Sequence, residues 1–166
     1  SAVRSRFAAA AARGLTKFVG RTAEMDQLTQ ALDHAKAGRG QVVAVVGEPG
    51  VGKSRLYYEF AHSHRVQDGL VIESASVSYG KATAYLPVIE LLKNYFRIES
   101  RDDARIVREK VTGRLLSLDR SLEAFMPALL WLLDVSVEDP QWARLDPRER
   151  RQQTLDGVKR LLLRES

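Results

Sequence analysis

Residues 47 to 54 read Gly-Glu-Pro-Gly-Val-Gly-Lys-Ser and satisfy the spacing G-x-x-x-x-G-K-[ST] in full. Each fixed position has a physical task in holding a chain of phosphates. Gly47, Gly50 and Gly52 let the backbone turn tightly and bring its N–H groups against anionic oxygens with no Cβ in the way. Pro49 and Val51 complete the loop between them, so the cradle is expected to run from Gly47 through Ser54. A helix opening where the loop ends points its positive dipole at the same anion. Lys53 supplies a mobile cation for the β and γ phosphates and is the catalytic candidate, while the Ser54 hydroxyl is the candidate ligand for Mg²⁺. Chance yields this pattern in about one chain of this length in a few hundred. Two neighbours carry weaker expectations. Glu48 occupies a variable position and is expected in solvent rather than as a base. Arg55 either touches phosphate or pairs with a nearby acid.

The loop works only between a strand and a helix, and the flanks read that way. Val42-Val43-Ala44-Val45-Val46 is a short β-branched run bounded by glycines, the pattern of a strand buried on both faces of a parallel sheet. Lys53 to about His64 reads as a helix, with Leu56, Tyr57, Phe60 and Ala61 on one side, and Leu70 to Ser74 reads as a second strand. The order strand, glycine loop, helix, strand is a βαβ unit, so the expected fold class is α/β, the start of a P-loop NTPase with an incomplete parallel sheet. Before it, Met25, Leu28, Ala31, Leu32 and Ala35 predict a helix over Thr22 to Ala37 with Thr22 as N-cap. After it the chain reads as helical. Pro87 opens one helix, Asp102 or Asp103 a second, and Ser121 to Leu133 a third that Pro127 divides. Asp146-Pro147-Arg148-Glu149 begins the last, with an acidic N-cap, proline at the first position and a capping-box glutamate.

Composition bounds the rest. The 166 residues are 45% hydrophobic and 28% charged, the profile of one soluble globular domain. The chain has no cysteine, which excludes disulfides, cysteine-ligated zinc and thiol catalysis and fits a reducing cytoplasm. His62 and His64, two apart, would point to different faces of a helix and do not form a metal pair; His34 is the third histidine. The longest apolar run, Phe125 to Leu133, is far short of the ~20 residues a bilayer requires. Of the net charge of +5, four charges (Arg4, Arg6, Arg13 and Lys17) lie in the first 17 residues with no acid among them, leaving +1 for the remainder. A neutral body with a basic arm is not a nucleic-acid-binding face. Residues 1–17, with the alanine run Ala8 to Ala12, read as a helical linker, and 18–166 as the domain. The first residue is serine rather than methionine, as expected of a piece of a longer protein.

Hydrolysis needs a further acid that holds Mg²⁺ through its water shell, usually at the end of a second hydrophobic strand. Leu129 to Asp134 mimics that pattern but lacks β-branched residues and follows a helical start, so helix then loop is the expectation. Glu138 and Asp139 lie beside Pro140 in a predicted loop. No acidic strand is evident.

Together these features resemble a known group. Phe18-Val19-Gly20-Arg21, then Glu24 and Leu28, then Val45 through Leu56 resemble the AAA-type ATPase domains of the STAND class, and most of all those that follow class III adenylate/guanylate cyclase domains in bacteria. Related domains head large transcriptional regulators. The likeness continues through Ser78-Tyr79-Gly80-Lys81, Tyr85-Leu86-Pro87-Val88-Ile89 and the Asp146-Pro147 helix. It implies that Phe18 to Arg21, with Val19 and Arg21 as the binding residues, lie near the base and ribose of ATP; a loop packing the first helix is the alternative. It also implies that the acidic strand follows the last helix, that the sequence stops short of it, and that the two predicted strands are not neighbours in a 5-1-4-3-2 sheet. Rearrangement, self-association or marginal stability would follow.

Three functions are then open. The first is an ATP- and Mg²⁺-binding regulatory module that couples nucleotide state to an attached effector in the cytoplasm, with hydrolysis expected of the longer protein and little here. The second is an independent hydrolase or kinase using Asp134 or Glu138. The third is a helical interaction module with a vestigial P-loop, against which intact Lys53 and Ser54 argue. The absence of an Asn-Lys-x-Asp signature favours ATP over GTP.

Overall fold

The computed structural model describes residues 14–66, 69–74 and 84–166. The alanine run and Ser78-Tyr79-Gly80-Lys81 lie outside the described residues. The chain divides into two compact units, one running to Val71 and the other from Ile72 to Ser166.

In the first unit, helix α1 spans Thr22–Lys36 and buries Leu28. Arg21 occupies its N-cap position without a side-chain cap, so Thr22 is the first helical residue rather than the cap. The C-terminus closes at a glycine. Gly38, at φ +79°, donates to Ala35 O, and Arg39 N donates to His34 O at 3.0 Å. These are the paired bonds of a Schellman motif, which satisfy carbonyls the helix leaves open. Helix α2 spans Lys53–Ala61 and buries Leu56, ending three residues earlier than its apolar pattern suggested. A 3-10 turn over His64–Val66 follows, and Lys36 Nζ ties the end of α1 to it through Arg65 O at 3.0 Å.

The two expected strands do not form. Among the described residues there is no strand, and the run from 42 to 46 is irregular, with Val42 fully exposed and Val46 91% exposed. Residues 70–74 are likewise irregular, and Leu70 and Val71 are exposed. A β-branched run becomes a strand only when a neighbour takes its N–H and C=O groups. These two runs do not pair with each other, so the α/β reading is corrected to helices and loops for the residues described.

The second unit is helical. Helix α3 spans Leu86–Tyr95 with Pro87 in its first turn, where a missing N–H costs nothing. Helix α4 spans Ala104–Leu118, capped by the Asp103 carboxylate, which accepts from Ile106 N at 2.8 Å. Asp102, the other candidate cap, instead accepts from Lys110 Nζ at 2.6 Å and from Glu99 N at 2.7 Å. A 3-10 helix over Arg120–Phe125 passes directly into α5, Met126–Leu132, so the predicted division falls just before Pro127. A short helix, α6, covers Pro140–Arg144, and α7 covers Pro147–Glu165. The α7 capping box is complete: Asp146 accepts from Arg148 N and Glu149 N, and Glu149 accepts from Asp146 N at 2.8 Å.

The core of this unit follows helical spacing. Val107, Val111 and Leu115 lie four apart on one face of α4 and pack with Leu92, Leu129, Leu130 and Leu161, all buried. Gly157 lets α7 approach closely, since a Cβ there would stand 3.2 Å from Phe125 Cβ. Helices α3, α4 and α7 are also tied by a polar cluster. Tyr95 Oη donates to Glu165 Oε1, and Arg114 donates to Tyr95 Oη at 3.0 Å and to Glu165 Oε1 at 2.6 Å.

Burial first, and then the Glu165 carboxylate, push the Tyr95 phenol from its ordinary 10.0 up to about 12, against the opposing pull of Arg114. Above the ordinary value the unfolded chain releases this proton while the folded chain keeps it, so stability falls as pH rises from about 10 to about 12. Thermal melts across that window should show the decline, and Tyr95→Phe, which has no proton to release, should show a smaller one.

Candidate phosphate-binding site

The loop from Gly47 to Ser54 has the backbone that its glycines were expected to permit. Gly50 and Gly52 stand at φ +88° and +91°, where an L side chain is strained. Gly47 is restricted differently, because a Cβ on it would come within 3.1 Å of Val51 Cγ2. Gly52 is the N-cap of α2 and offers no side chain, so the first N–H groups of the helix have no capping acceptor. Leu56 N is the first to bond back, to Gly52 O at 3.0 Å. Uncapped N–H groups at a helix start, with the helix dipole behind them, form an anion site.

Lys53 lies over this loop. Its ammonium donates to Gly47 O at 2.7 Å and to Glu48 O at 2.8 Å. An ammonium has three donors, so these two bonds brace the loop and leave one for an anion. Ser54 is exposed on the first turn of α2, and Glu48 is exposed in the loop, as expected of a variable position.

Two arginines flank the loop. Arg55, for which phosphate contact and ion pairing were both open, donates through Nε to Glu59 Oε1 at 2.5 Å and through Nη2 to Thr16 O at 2.7 Å. Its guanidinium also lies 5.8 Å from the centre of the Phe18 ring. Arg21 donates through Nη2 to Val51 O at 2.6 Å and through Nη1 to Glu24 Oε1 at 2.5 Å. The Phe18–Arg21 element thereby meets Arg55 of α2 at Phe18 and the loop at Arg21, while Val19 is 69% exposed. Sequence reasoning did not anticipate the Arg21–Val51 bond or the bracing by Lys53. Both bind backbone carbonyls, which no residue pattern displays.

The acids weighed for magnesium all lie in the second unit. Asp134, at φ +61°, follows the end of α5, so the helix-then-loop reading holds. Asp139 caps α6, accepting from Gln141 N at 2.7 Å and Trp142 N at 3.1 Å. Among the described residues no three His, Cys, Asp or Glu side chains are grouped to hold a metal ion. No helix among them is long and apolar enough to cross a membrane.

A family model described as AAA ATPase domain matches residues 17–165. The chain belongs to this family. Membership in the AAA ATPase domain family implies the P-loop NTPase fold. Of that fold, the described residues carry helices and the glycine loop but no strand. Neither a curated protein nor a solved structure matches this AAA ATPase domain.

Proposed function

We propose that this AAA ATPase domain binds ATP with Mg²⁺ through residues 47–55 and serves as a regulatory module of a larger bacterial signalling protein. The observation that carries the reading is the uncapped start of α2, opening from the Gly47–Gly52 loop with Lys53 folded over it. The N–H groups there would hold the phosphates, with Pro49 and Val51 setting the loop's course. Lys53 turns its remaining donor to the β and γ oxygens. The exposed Ser54 hydroxyl is the ligand offered to Mg²⁺. When bound there, Mg²⁺ would neutralise phosphate charge that Lys53 alone cannot. Val19, Arg21 and Arg55 border the nucleotide on the side of the Phe18–Arg21 element.

Binding with little turnover is the role proposed for these residues, since hydrolysis needs a further acid at the end of a second hydrophobic strand and the sequence shows no evident one. The likeness of Phe18–Arg21 and of the P-loop surroundings to STAND-class domains supports a switch coupled to an attached effector, a cyclase or a transcriptional regulator, in the cytoplasm. Self-association remains part of this proposal, supported by the exposed valines of the 42–46 run.

The metal assignment is tested by measuring ATP affinity against Mg²⁺ concentration. The unsubstituted chain should bind more tightly as Mg²⁺ is added. Ser54→Ala should lose about tenfold or more of that gain, the worth of one bond to a charged group, with its affinity for metal-free ATP unchanged. An identical Mg²⁺ response in both proteins would remove Ser54 from the metal's coordination.

A further inference from the structure

Arg21 makes a contact whose consequence lies inside the loop. Its Nη2 holds the Val51 carbonyl at 2.6 Å, and its Nη1 is held in turn by Glu24 Oε1 at 2.5 Å, in the first turn of α1. The Arg21 bond draws the Glu24 carboxyl below the usual range. Val51 C=O and Gly52 N–H belong to the same peptide unit. A trans peptide points these two groups in opposite directions. Fixing the carbonyl toward Arg21 therefore fixes the Gly52 N–H away from it. Gly52, at φ +91°, has no Cβ to resist rotation of that unit, so an outside hold is needed to choose its orientation.

We propose that Arg21 is a positioning residue for the phosphate loop: through the Val51 carbonyl, and buttressed by Glu24, it orients the Gly52 N–H toward the bound anion. This rests on the nucleotide-binding reading given above. Arg21 acts through the loop backbone and need not touch the nucleotide. The two roles differ in what they sense. A guanidinium placed directly on a phosphate discriminates by ligand charge. An oriented N–H at the loop serves ATP and ADP alike. Glu24 reaches the loop through Arg21, so its effect should depend on that residue.

The test combines affinities for ATP and ADP with Mg²⁺ and the amide resonance of Gly52 in nucleotide-free protein, for Arg21→Ala, Arg21→Lys, Glu24→Gln and the double variant Arg21→Ala/Glu24→Gln. Arg21→Ala should weaken ATP and ADP by the same factor, about three- to tenfold, as expected when one of several bonds to a charged group loses its orientation. Arg21→Lys, which keeps one donor for the carbonyl, should recover part of the loss. Glu24→Gln should lose less, and the double variant should be no worse than Arg21→Ala, because the pair acts as one unit. The Gly52 amide resonance should move in Arg21→Ala without nucleotide present, which a general loss of stability would not produce selectively. A Gly52 resonance that stays in place, or an affinity loss confined to ATP, would overturn the proposal. Failure of the unsubstituted chain to bind either nucleotide would overturn the nucleotide-binding reading instead, and the Gly52 resonance would still decide whether Arg21 sets the loop.

Discussion

Lys53→Ala is expected to weaken binding of Mg²⁺-ATP at least about tenfold. The ammonium does two things that alanine cannot. It braces Gly47 O and Glu48 O at 2.7 and 2.8 Å, and it keeps a third donor for the phosphates. Losing one hydrogen bond to a charged group costs about 1.5–3 kcal/mol, which is roughly tenfold or more in affinity. Loosening of the loop adds to the loss, because the uncapped N–H groups at the start of α2 must converge on one anion. Isothermal titration of both proteins checks this. An unchanged dissociation constant would show that the nucleotide binds elsewhere.

Leu129→Ala is expected to destabilise the helical unit by about 2–5 kcal/mol, the range for large-to-small changes in a sealed core. Leu129 has no exposed surface and sits among Leu130, Val111 and Leu115 of α4, and Leu161 of α7, and the starts of α4 and α7 carry side-chain caps. The neighbouring turns are fixed by caps, so the site has little freedom to collapse around the void. Leu163 on α7, 63% exposed, is the control, and Leu163→Ala should change stability by less than about 0.5 kcal/mol. Chemical denaturation separates the two. Equal effects would mean that the core is not where the buried side chains place it.

The helical half of the chain was legible because its signals are local. Asp146, Pro147 and Glu149 specify a helix start within four residues, and the structure forms each of the bonds they imply. Asp103 and Pro87 acted in the same way. Helix α6 was missed although Asp139-Pro140 repeats the acid–proline signal that opened α7. Its five residues are too few to display an apolar period. The strands failed for the opposite reason. The composition of 42–46 states what a strand would need to be buried, but the hydrogen bonds that make one belong to a partner segment. The phosphate loop lies between these cases. Its glycines, Lys53 and Ser54 could be read from spacing, whereas the hold of Arg21 on the Val51 carbonyl spans thirty positions and runs through backbone.

The central claim, that residues 47–54 capture the phosphates of ATP, is tested most directly by titrating a fluorescent ATP analogue with the unsubstituted chain in Mg²⁺ and displacing it with unlabelled nucleotides. Saturable binding that ATP and ADP reverse, and that AMP, with no β phosphate, reverses poorly, is the predicted result. The absence of saturable binding, or displacement by AMP as effective as by ATP, would contradict it.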